Sequence, residues 1–281
     1  TIPEGVSLVI SEGATMTIPE GVTVINNGTI TLNGKLFNYG SIICDADSHM
    51  YSFVCDEACL LCKKENTNAV EHDYRDGFCS RCSKLDPSLI VDGVCQISSA
   101  NILKMFAEYV NSGNTDTDAV LTQDIDLNGE DWTTICETGL YYSGYGKEVG
   151  YTGTFDGAGH VISNLKVTSS SKRDASAGLF GTVSGVIQNL GVENVTFTDG
   201  GRDIRAAAIV GQLITSDGKI SNCYVKNAKI SPKDHVVGGI AGCVYDGLIE
   251  NCYVVGSDIQ GTGGRYGHIV GDSRGDGGDS D

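Results

Sequence analysis

The amino-acid sequence predicts an all-β fold in which short strands stack into a solenoid. Three observations predict it: an excess of glycine over proline, apolar residues that alternate between glycine turns, and internal repeats. The chain has 38 Gly but only 4 Pro in 281 residues, whereas the usual shares are about 7% and 5%. Proline cannot donate to a strand ladder, so its scarcity fits strands that have a neighbour on each side.

The N-terminal segment repeats a short block. Ile2-Pro3-Glu4-Gly5-Val6 returns as Ile18-Pro19-Glu20-Gly21-Val22. Short alternating stretches follow, separated by Asn27-Gly28, Asn33-Gly34 and Tyr39-Gly40. Alternation between glycine turns is typical of strands. We therefore predict a short solenoid segment over residues 1–44.

A stronger repeat fills the C-terminal part of the chain. Ala177-Gly178-Leu179-Phe180-Gly181 returns at 207–211, 238–242 and 267–271, so the copies follow one another at nearly even spacing. A unit this short cannot bury its own apolar face, and stacked copies must therefore share one core. We predict a second solenoid over residues 119–281, and we expect it to be truncated because its last unit stops before its second repeated block.

That second block has the pattern Ile-x-Asn. It occurs at 187–189, 220–222 and 249–251, and residues 162–164 resemble an earlier copy. Stacked copies would place Asn164, Asn189, Asn222 and Asn251 in one amide ladder, with ligand binding as the alternative. Cys223 and Cys252 follow two of the blocks. They are predicted to stack as small buried side chains, and a disulfide between them is the alternative.

One helix interrupts the strands. Apolar residues recur with helical spacing at Ile102, Met105, Phe106, Tyr109 and Val110. Ser98 or Ser99 can cap the start of this helix and Gly113 can end it. We predict an amphipathic helix and linker over residues 96–118, and we expect the helix to cap the open end of the second solenoid.

The cysteine-rich segment 45–95 has the spacing of a zinc site. Two Cys-x2-Cys pairs about 15–20 residues apart are typical of structural zinc. The best ligand set is Cys59, Cys62, Cys79 and Cys82, with Cys55, His72 and His49 as alternates. Disulfides are the competing interpretation in an extracellular chain, although the odd total of 11 Cys excludes complete pairing. A disulfide between Cys44 and Cys95, which flank the segment, is a separate hypothesis.

The charge balance excludes some partners. With 19 Lys and Arg against 36 Asp and Glu, the formal net charge is −17, which argues against nucleic acid and anionic membranes. No apolar run is long enough to predict a membrane span. Calcium is a weak candidate, because Asp124-x-Asp126-x-Asn128-Gly129 starts like an EF-hand loop but has Ile135 where a bidentate Glu is needed. A strand that runs into a turn is favoured there.

The motifs of the second solenoid follow one another in a distinctive order. Residues 119–127 lead to Trp132-Thr133-Thr134-Ile135, then to residues 151–157 and to Gly178-Leu179-Phe180-Gly181. This order resembles bacterial surface proteins with GLUG-motif repeats, which also occur in non-catalytic regions of immunoglobulin A1-specific metallopeptidases. The resemblance covers about 98–281 and implies a right-handed parallel β-helix. The module at 49–82, with its pattern His72-x-Tyr74-x2-Gly77-x-Cys79-x2-Cys82, is similar to small cysteine-rich modules in Firmicutes surface proteins of the same kind.

Catalytic motifs are not evident in the sequence. The His-Glu-x-x-His of those peptidases is absent, so the resemblance does not imply proteolysis, and no acidic ladder at constant repeat phase is visible. We expect no enzyme activity but a structural or adhesive segment of a secreted or cell-surface protein. Its candidate contact loops for a host protein or glycan are 139–150, 168–176 and 199–206. The alternatives are a carbohydrate-active β-helix enzyme and a filament subunit that self-associates through the solenoid ends.

Overall fold

The computed structural model describes residues 1–11, 14–33, 35–44, 69–75, 77–79, 84–137, 150–168, 175–198, 204–231, 236–261 and 265–273. Among these residues the fold is all-β, with mainly parallel sheets and one α-helix. The chain divides into two units. Residues 1–75 and 79–84 form the first, and residues 76–78 and 85–281 form the second.

The first unit contains short strands that pair in parallel. They are β1 (Ser7–Ile10), β2 (Thr15–Ile18), β3 (Thr23–Asn26), β4 (Thr29–Leu32), β5 (Lys35–Asn38) and β6 (Ser41–Cys44). Strand β1 pairs with β4, β2 with β5 and β3 with β6. Three strands therefore form one coil, and the next three stack on it. Ile18, Ile30 and Ile42 are buried in the core of this unit.

The repeated Ile-Pro-Glu-Gly-Val block marks two corners of one coil in this unit. A Cβ atom on Gly28 would lie 2.3 Å from the carbonyl oxygen of Val6, and one on Gly40 would lie 2.2 Å from that of Val22. A glycine of the next coil therefore covers each block, since only glycine lets two backbones approach so closely. The distance along the chain between the two blocks is thus shorter than a full coil.

The cysteine-rich region and the second unit supply the remaining elements. Two short strands, β7 (Tyr74–Arg75) and β8 (Phe78–Cys79), lie in the cysteine-rich region. A 3-10 helix, Pro87–Leu89, then begins after Asp86, whose carboxylate accepts a hydrogen bond from the amide of Ser88. The strands of the second unit are β9 (Ile90–Val91), β10 (Val94–Ile97), β11 (Ala119–Leu121), β12 (Ile125–Asp126), β13 (Asp131–Trp132), β14 (Thr154–Asp156), β15 (Val161–Ser163), β16 (Lys166–Thr168), β17 (Ser176–Ala177), β18 (Phe180–Val183), β19 (Val186–Gln188), β20 (Gly191–Glu193), β21 (Thr196–Thr198), β22 (Arg205–Ala206), β23 (Val210–Leu213), β24 (Lys219–Ser221), β25 (Tyr224–Lys226), β26 (Lys229–Ile230), β27 (Val236–Gly238), β28 (Ala241–Val244), β29 (Leu248–Glu250), β30 (Tyr253–Val255), β31 (Asp258–Ile259), β32 (Tyr266–Gly267) and β33 (Val270–Ser273).

Each sheet of the second unit collects the equivalent strand of successive coils. The sheets have the orders β29-β24-β19-β14-β11-β10-β9, β12-β15-β20-β25-β30, β13-β16-β21-β26-β31, β17-β22-β27-β32 and β18-β23-β28-β33. Within these sheets β9 pairs antiparallel with β10, and the other pairs are parallel. Alternate residues point inward, so Phe155, Ile187 and Ile220 stack as neighbours in one buried column.

The register confirms the repeat that the glycine blocks predict. Phe180 pairs with Val210, Val210 with Ala241, and Ala241 with Val270. The glycine after each of these residues therefore occupies the same place in every coil. A Cβ atom on Gly211 would lie within 3.0 Å of three backbone atoms, so this sheet packs too closely for a larger residue.

The predicted asparagine ladder is in fact two ladders. Asn189, Asn222 and Asn251 are linked by amide hydrogen bonds of 3.1 and 3.2 Å. The assignment of Asn164 to this ladder is wrong: Ile162 lies on β15 and pairs with Val192 of β20, which places Asn164 at the next corner of the coil. There it belongs to a second ladder, Asn164–Asn194–Asn227, with links of 3.3 and 3.4 Å.

Both ladders end on a carboxylate. Asn189 donates to Asp156 at 3.0 Å, and Asn164 donates to Asp126 at 2.7 Å. Burial opposes ionisation of Asp156, but hydrogen bonds from Asn189, Ala158 and Gln188 outweigh it and lower the pKa of this carboxyl. All six ladder asparagines have a positive φ, between 52° and 56°. Asparagine suits this corner because it tolerates the left-handed region.

The predicted helix is present as α1 (Ala100–Asn111). The hydroxyl of Ser99 caps it by accepting a hydrogen bond from the amide of Ile102 at 3.2 Å. Its apolar face packs into the core of the second unit, where the ring of Phe106 lies 6.3 Å from that of Tyr151 and 6.1 Å from that of Phe155. The helix lies between β10 and β11 and packs on the first coils of this unit.

The ladder geometry predicts an order of stability among variants of Asn222. Asn222→Ala loses two amide hydrogen bonds, and it places alanine, which disfavours the left-handed region, at a φ of 54°. We therefore expect the free energy of unfolding to fall by about 2 kcal/mol. Asn222→Gly keeps the backbone tolerance, and we expect a loss of about 1 kcal/mol. Denaturant unfolding measures both.

Asn101→Ala, at an exposed position of α1, is the control and should leave stability unchanged or slightly higher. An Asn222→Ala variant as stable as the wild type would contradict the structural role of the ladder.

Candidate functional site

The most distinctive surface of the second unit lies on the outer side of one sheet. Strands β12, β15, β20, β25 and β30 bury Ile162, Val192 and Val225 on their inner side. Their outer side and the preceding turns carry polar and aromatic groups, which we call the tyrosine face: Asp124, His160, Glu193, Tyr224, Lys226 and Tyr253.

Two tyrosines stack on the last two strands of this face, β25 and β30. Tyr224 and Tyr253 are register partners on β25 and β30, and their rings are nearly parallel, with centroids 5.2 Å apart and an interplanar angle of 7°. The ring of Tyr224 lies over Gly191, where a Cβ atom would be only 2.5 Å from a ring carbon. The exposed fraction of Tyr253 is 55%. The stack therefore ends in an aromatic ring that is open to solvent.

Charged groups border the tyrosine stack. The Tyr224 hydroxyl donates to Glu193 at 2.9 Å, and the ammonium of Lys226 lies 3.3 Å from the other oxygen of Glu193. Burial and then the hydrogen bond and charge of Glu193 raise the pKa of Tyr224 to about 12. Glu193 thus holds the phenol as a donor and fixes its orientation.

An aspartate–histidine pair lies on the same face. The carboxylate of Asp124 accepts from the amide of Val161 at 3.0 Å and lies 3.1 Å from Nδ1 of His160. These contacts, that of the Val161 amide first, lower the pKa of Asp124. Together with the rings, this face offers a flat apolar platform beside carboxylates, a phenol and an imidazole. Such a combination can stack on a sugar ring and hydrogen-bond its hydroxyls.

Sequence reasoning did not select this surface, although a signal was present. The tripeptide Cys-Tyr-Val occurs at 223–225 and again at 252–254, at the repeat spacing. The predicted contact loops 139–150, 168–176 and 199–206 lie mostly outside the described residues. The start of the EF-hand pattern is a strand that runs into a turn, as favoured: Asp126 ends β12 and accepts from the amide of Asn128 at 2.8 Å.

A second surface is a groove of about 480 Å³ on the sheet that contains β10, β11 and β14. Its lining includes Asp92, Asp118 and Asp156. The Asp118 carboxylate accepts from the amide of Thr154 at 2.6 Å, and Asp156 ends an asparagine ladder. Both carboxylates therefore have structural hydrogen bonds. A general acid needs a raised pKa, whereas the pKa of Asp156 is lowered.

Most of the predicted zinc ligands lie outside the described residues. These are Cys55, Cys59, Cys62, Cys82 and His49. Of the others, Cys79 is 1% exposed at the end of β8, and the His72 ring lies 5.4 Å from that of Tyr74. In the described part of the chain, no three His, Cys, Asp or Glu side chains are grouped to hold a metal ion. The zinc set stays a prediction, as does the pairing of Cys44 with Cys95.

The parallel strands that recur in successive coils define an all-β repeat protein. A comparison with known families agrees with this class. Residues 234–260 match the GLUG motif, which corresponds to the segment from β27 to β31. The match therefore includes the glycine block, one ladder asparagine and Tyr253. The chain carries a GLUG motif and resembles proteins built from this repeat.

Two relatives extend the comparison. Halomucin from Haloquadratum walsbyi is 40% identical over 94 residues, which are 33% of this chain and 1% of halomucin. The crystal structure of a Bacteroides ovatus protein, described as a candidate immunoglobulin A1 protease, is 25% identical; the match covers 66% of this chain and 63% of that one, with a TM-score of 0.49. The chain thus spans less than two thirds of either relative.

The helical content bears on membrane insertion. None of the helices in the described ranges has the length and apolarity needed to cross a bilayer.

The environment of Tyr224 predicts its reactivity. Tetranitromethane nitrates the phenolate, and at pH 8 a pKa of about 12 leaves about 100-fold less phenolate than an ordinary tyrosine has. We expect slow nitration of Tyr224 in the wild type and a several-fold faster reaction in Glu193→Ala. Mass spectrometry of tryptic peptides measures the rate, with exposed Tyr266 as the internal reference.

Asp246→Ala, on an exposed turn, is the matched carboxylate control and should not change the rate at Tyr224. Equal nitration of Tyr224 in the wild type and in Glu193→Ala would contradict the assigned role of Glu193.

Proposed function

We propose that this chain is a structural and adhesive segment of a cell-surface or secreted protein. In this proposal the coils of the second unit form a closed, right-handed parallel β-helix with α1 as its cap, and the helix presents the tyrosine face to a glycan. The observation that carries the proposal is the stacked pair Tyr224–Tyr253, which the coil register holds on an exposed sheet.

The spacer role follows from the geometry of the coils. Adjacent parallel strands are about 4.8 Å apart, so each coil adds that length without altering the cross-section. The aromatic cluster of Phe106, Tyr151, Phe155 and Phe180 joins α1 to the first coils. A rod of this kind suits a protein that holds other parts away from a surface.

The charge of the chain favours particular sugars. With a net charge of −17 and Asp124 and Glu193 on the tyrosine face, sulfated or sialylated glycans would be repelled. Neutral hexoses and N-acetylhexosamines fit better, because their apolar ring face can stack on Tyr253 and their hydroxyls can donate to the carboxylates. A host protein that displays such glycans is the corresponding partner.

The similarities support a location at the cell surface. The GLUG motif at 234–260 and the local similarity to halomucin both favour a secreted or surface protein. The same features favour a non-enzymatic repeat region. The groove that contains Asp118 and Asp156 is the best alternative for a carbohydrate-active enzyme, but the lowered pKa of Asp156 disfavours it as a general acid.

Self-association is a second candidate function with one supporting observation. Inward-facing residues of the last described coil are less buried than their equivalents in earlier coils: Ile249 and Val254 are half-buried, whereas Ile220 and Val225 are fully buried. Another coil or a second chain could cover them. Analytical ultracentrifugation separates the two functions, because a filament subunit would grow in mass with concentration whereas an adhesive spacer would stay constant.

A structural zinc ion completes the proposal for the cysteine-rich segment. Cys59, Cys62, Cys79 and Cys82 would supply the four thiolates of a closed tetrahedral site, and such an ion stabilises a short segment that cannot bury a large core. The buried position of Cys79 fits a ligand that solvent does not reach.

The glycan proposal predicts a specific loss of binding. On an array of neutral oligosaccharides, we expect the full chain to bind, and Tyr253→Ala to weaken the best interaction by roughly 10-fold. Tyr266→Ala is the matched control, because Tyr266 is 54% exposed on a different sheet, and it should bind like the wild type. No binding by the folded wild type, or equal binding by both variants, would refute the adhesive role of this face.

The zinc proposal predicts a metal content. In protein purified without added zinc, inductively coupled plasma mass spectrometry should find about one Zn²⁺ per chain. Cys79→Ser should lose it, and Cys243→Ser, a substitution of a buried cysteine of the second unit, should retain it. A metal-free wild type that has no reactive thiols between 55 and 82 would mean disulfides instead.

A further inference from the structure

Two cysteines occupy the same position in adjacent coils of the second unit. Cys223 directly precedes β25 and Cys252 directly precedes β30. These strands pair in parallel, with Tyr224 opposite Tyr253. The amide of Tyr253 donates to the carbonyl oxygen of Cys223 at 3.2 Å, so a backbone hydrogen bond joins the two coils at the cysteines themselves.

The two side chains share one orientation. Each sulfur lies 3.2 Å from the carbonyl oxygen two residues earlier, which belongs to Ser221 for Cys223 and to Glu250 for Cys252. Each also lies 3.8 Å from a carbonyl of the preceding coil. Identical local contacts place the sulfurs one above the other, rather than on opposite sides of the strand.

The spacing of the coils suits a covalent link. Neighbouring strands in a sheet are about 4.7–4.9 Å apart, and disulfides join residues whose Cα atoms are about 4.4–6.8 Å apart. Cys223 is 1% exposed, whereas Cys252 is half-buried. A small oxidant can therefore reach Cys252 and not its partner.

The thiols also differ in acidity. The hydrogen bond between them raises the pKa of Cys223 and lowers the pKa of Cys252. Cys252 is therefore the more acidic of the two thiols, and the thiolate is the nucleophilic form. Cys95 and Cys136 are different, because burial raises the pKa of each to about 11.

We propose that Cys223 and Cys252 are a redox site that forms a reversible disulfide between adjacent coils. The oxidant is a small-molecule disulfide such as oxidised glutathione. The Cys252 thiolate attacks one of its sulfurs and releases a glutathione thiolate, which leaves a mixed disulfide on Cys252. Cys223 then loses its proton, attacks the sulfur of Cys252 and releases the second glutathione. Two protein thiols become one disulfide, and one glutathione disulfide becomes two thiols.

The disulfide proposal does not depend on glycan binding by the tyrosine face. Its consequence is mechanical, because the bond would close the loop between Cys223 and Cys252 and tie the coil that contains β30 to the one before it. This role differs from the simple packing of small side chains that the sequence favoured. Packing alone would require both sulfurs to be buried, but it would not require a bond between them.

The test uses the full chain in native buffer. After incubation with oxidised glutathione, remaining thiols are alkylated and the digest is analysed by mass spectrometry. We expect a linked peptide that contains Cys223 and Cys252, with two hydrogens lost, and a Tm that rises by roughly 5–10 °C and returns after addition of dithiothreitol. Alkylated Cys223 and Cys252 after this treatment would overturn the proposal.

Two single variants separate the steps. Cys223→Ser should accumulate glutathione on Cys252, because no thiol is left to release it, whereas Cys252→Ser should leave Cys223 unmodified. Cys243→Ser is the control and should form the link as the wild type does. Glutathione on Cys223 in the second variant, or a stable mixed disulfide in the wild type, would also overturn the proposal.

Discussion

The parallel, in-register hydrogen bonding of successive coils is the constraint on which the second unit depends. Once Phe180, Val210, Ala241 and Val270 are partners along one sheet, each residue of a coil is set above its equivalent in the coil before. The same register aligns apolar columns such as Phe155–Ile187–Ile220. The asparagine ladders, the tyrosine stack and the cysteine pair are all products of the same register.

Several elements could be predicted from the sequence because their local chemistry is unambiguous. The glycine blocks at 178–181 and 238–242 predict stacked copies that share one core, and the register agrees with their spacing. The apolar period predicts the helix, and Ser99 caps it. The start of an EF-hand pattern is correctly interpreted as a strand and a turn, because residue 135 is not a carboxylate.

Other features could not be predicted, since one pattern serves two corners of a coil. An asparagine follows an Ile-x pair both after β15 and after β19, so the sequence alone does not say to which ladder Asn164 belongs. The tyrosine face was missed because the outward direction of Tyr224 and Tyr253 becomes visible only when the sheet is known. The ligand set of the cysteine-rich segment stays a prediction.

The direction of the asparagine ladders has a consequence for how such a chain can change in length. Every amide donates toward the preceding coil, and the series stops at Asp156 or Asp126. Each inner asparagine therefore donates its side-chain amide to the preceding coil and presents its amide oxygen as an acceptor to the next coil. A duplicated coil inserted after Asn189 would meet a matching acceptor below and a matching donor above. Gene duplication can extend this part of the molecule without new chemistry, and the carboxylate rung stays as the first acceptor of each ladder.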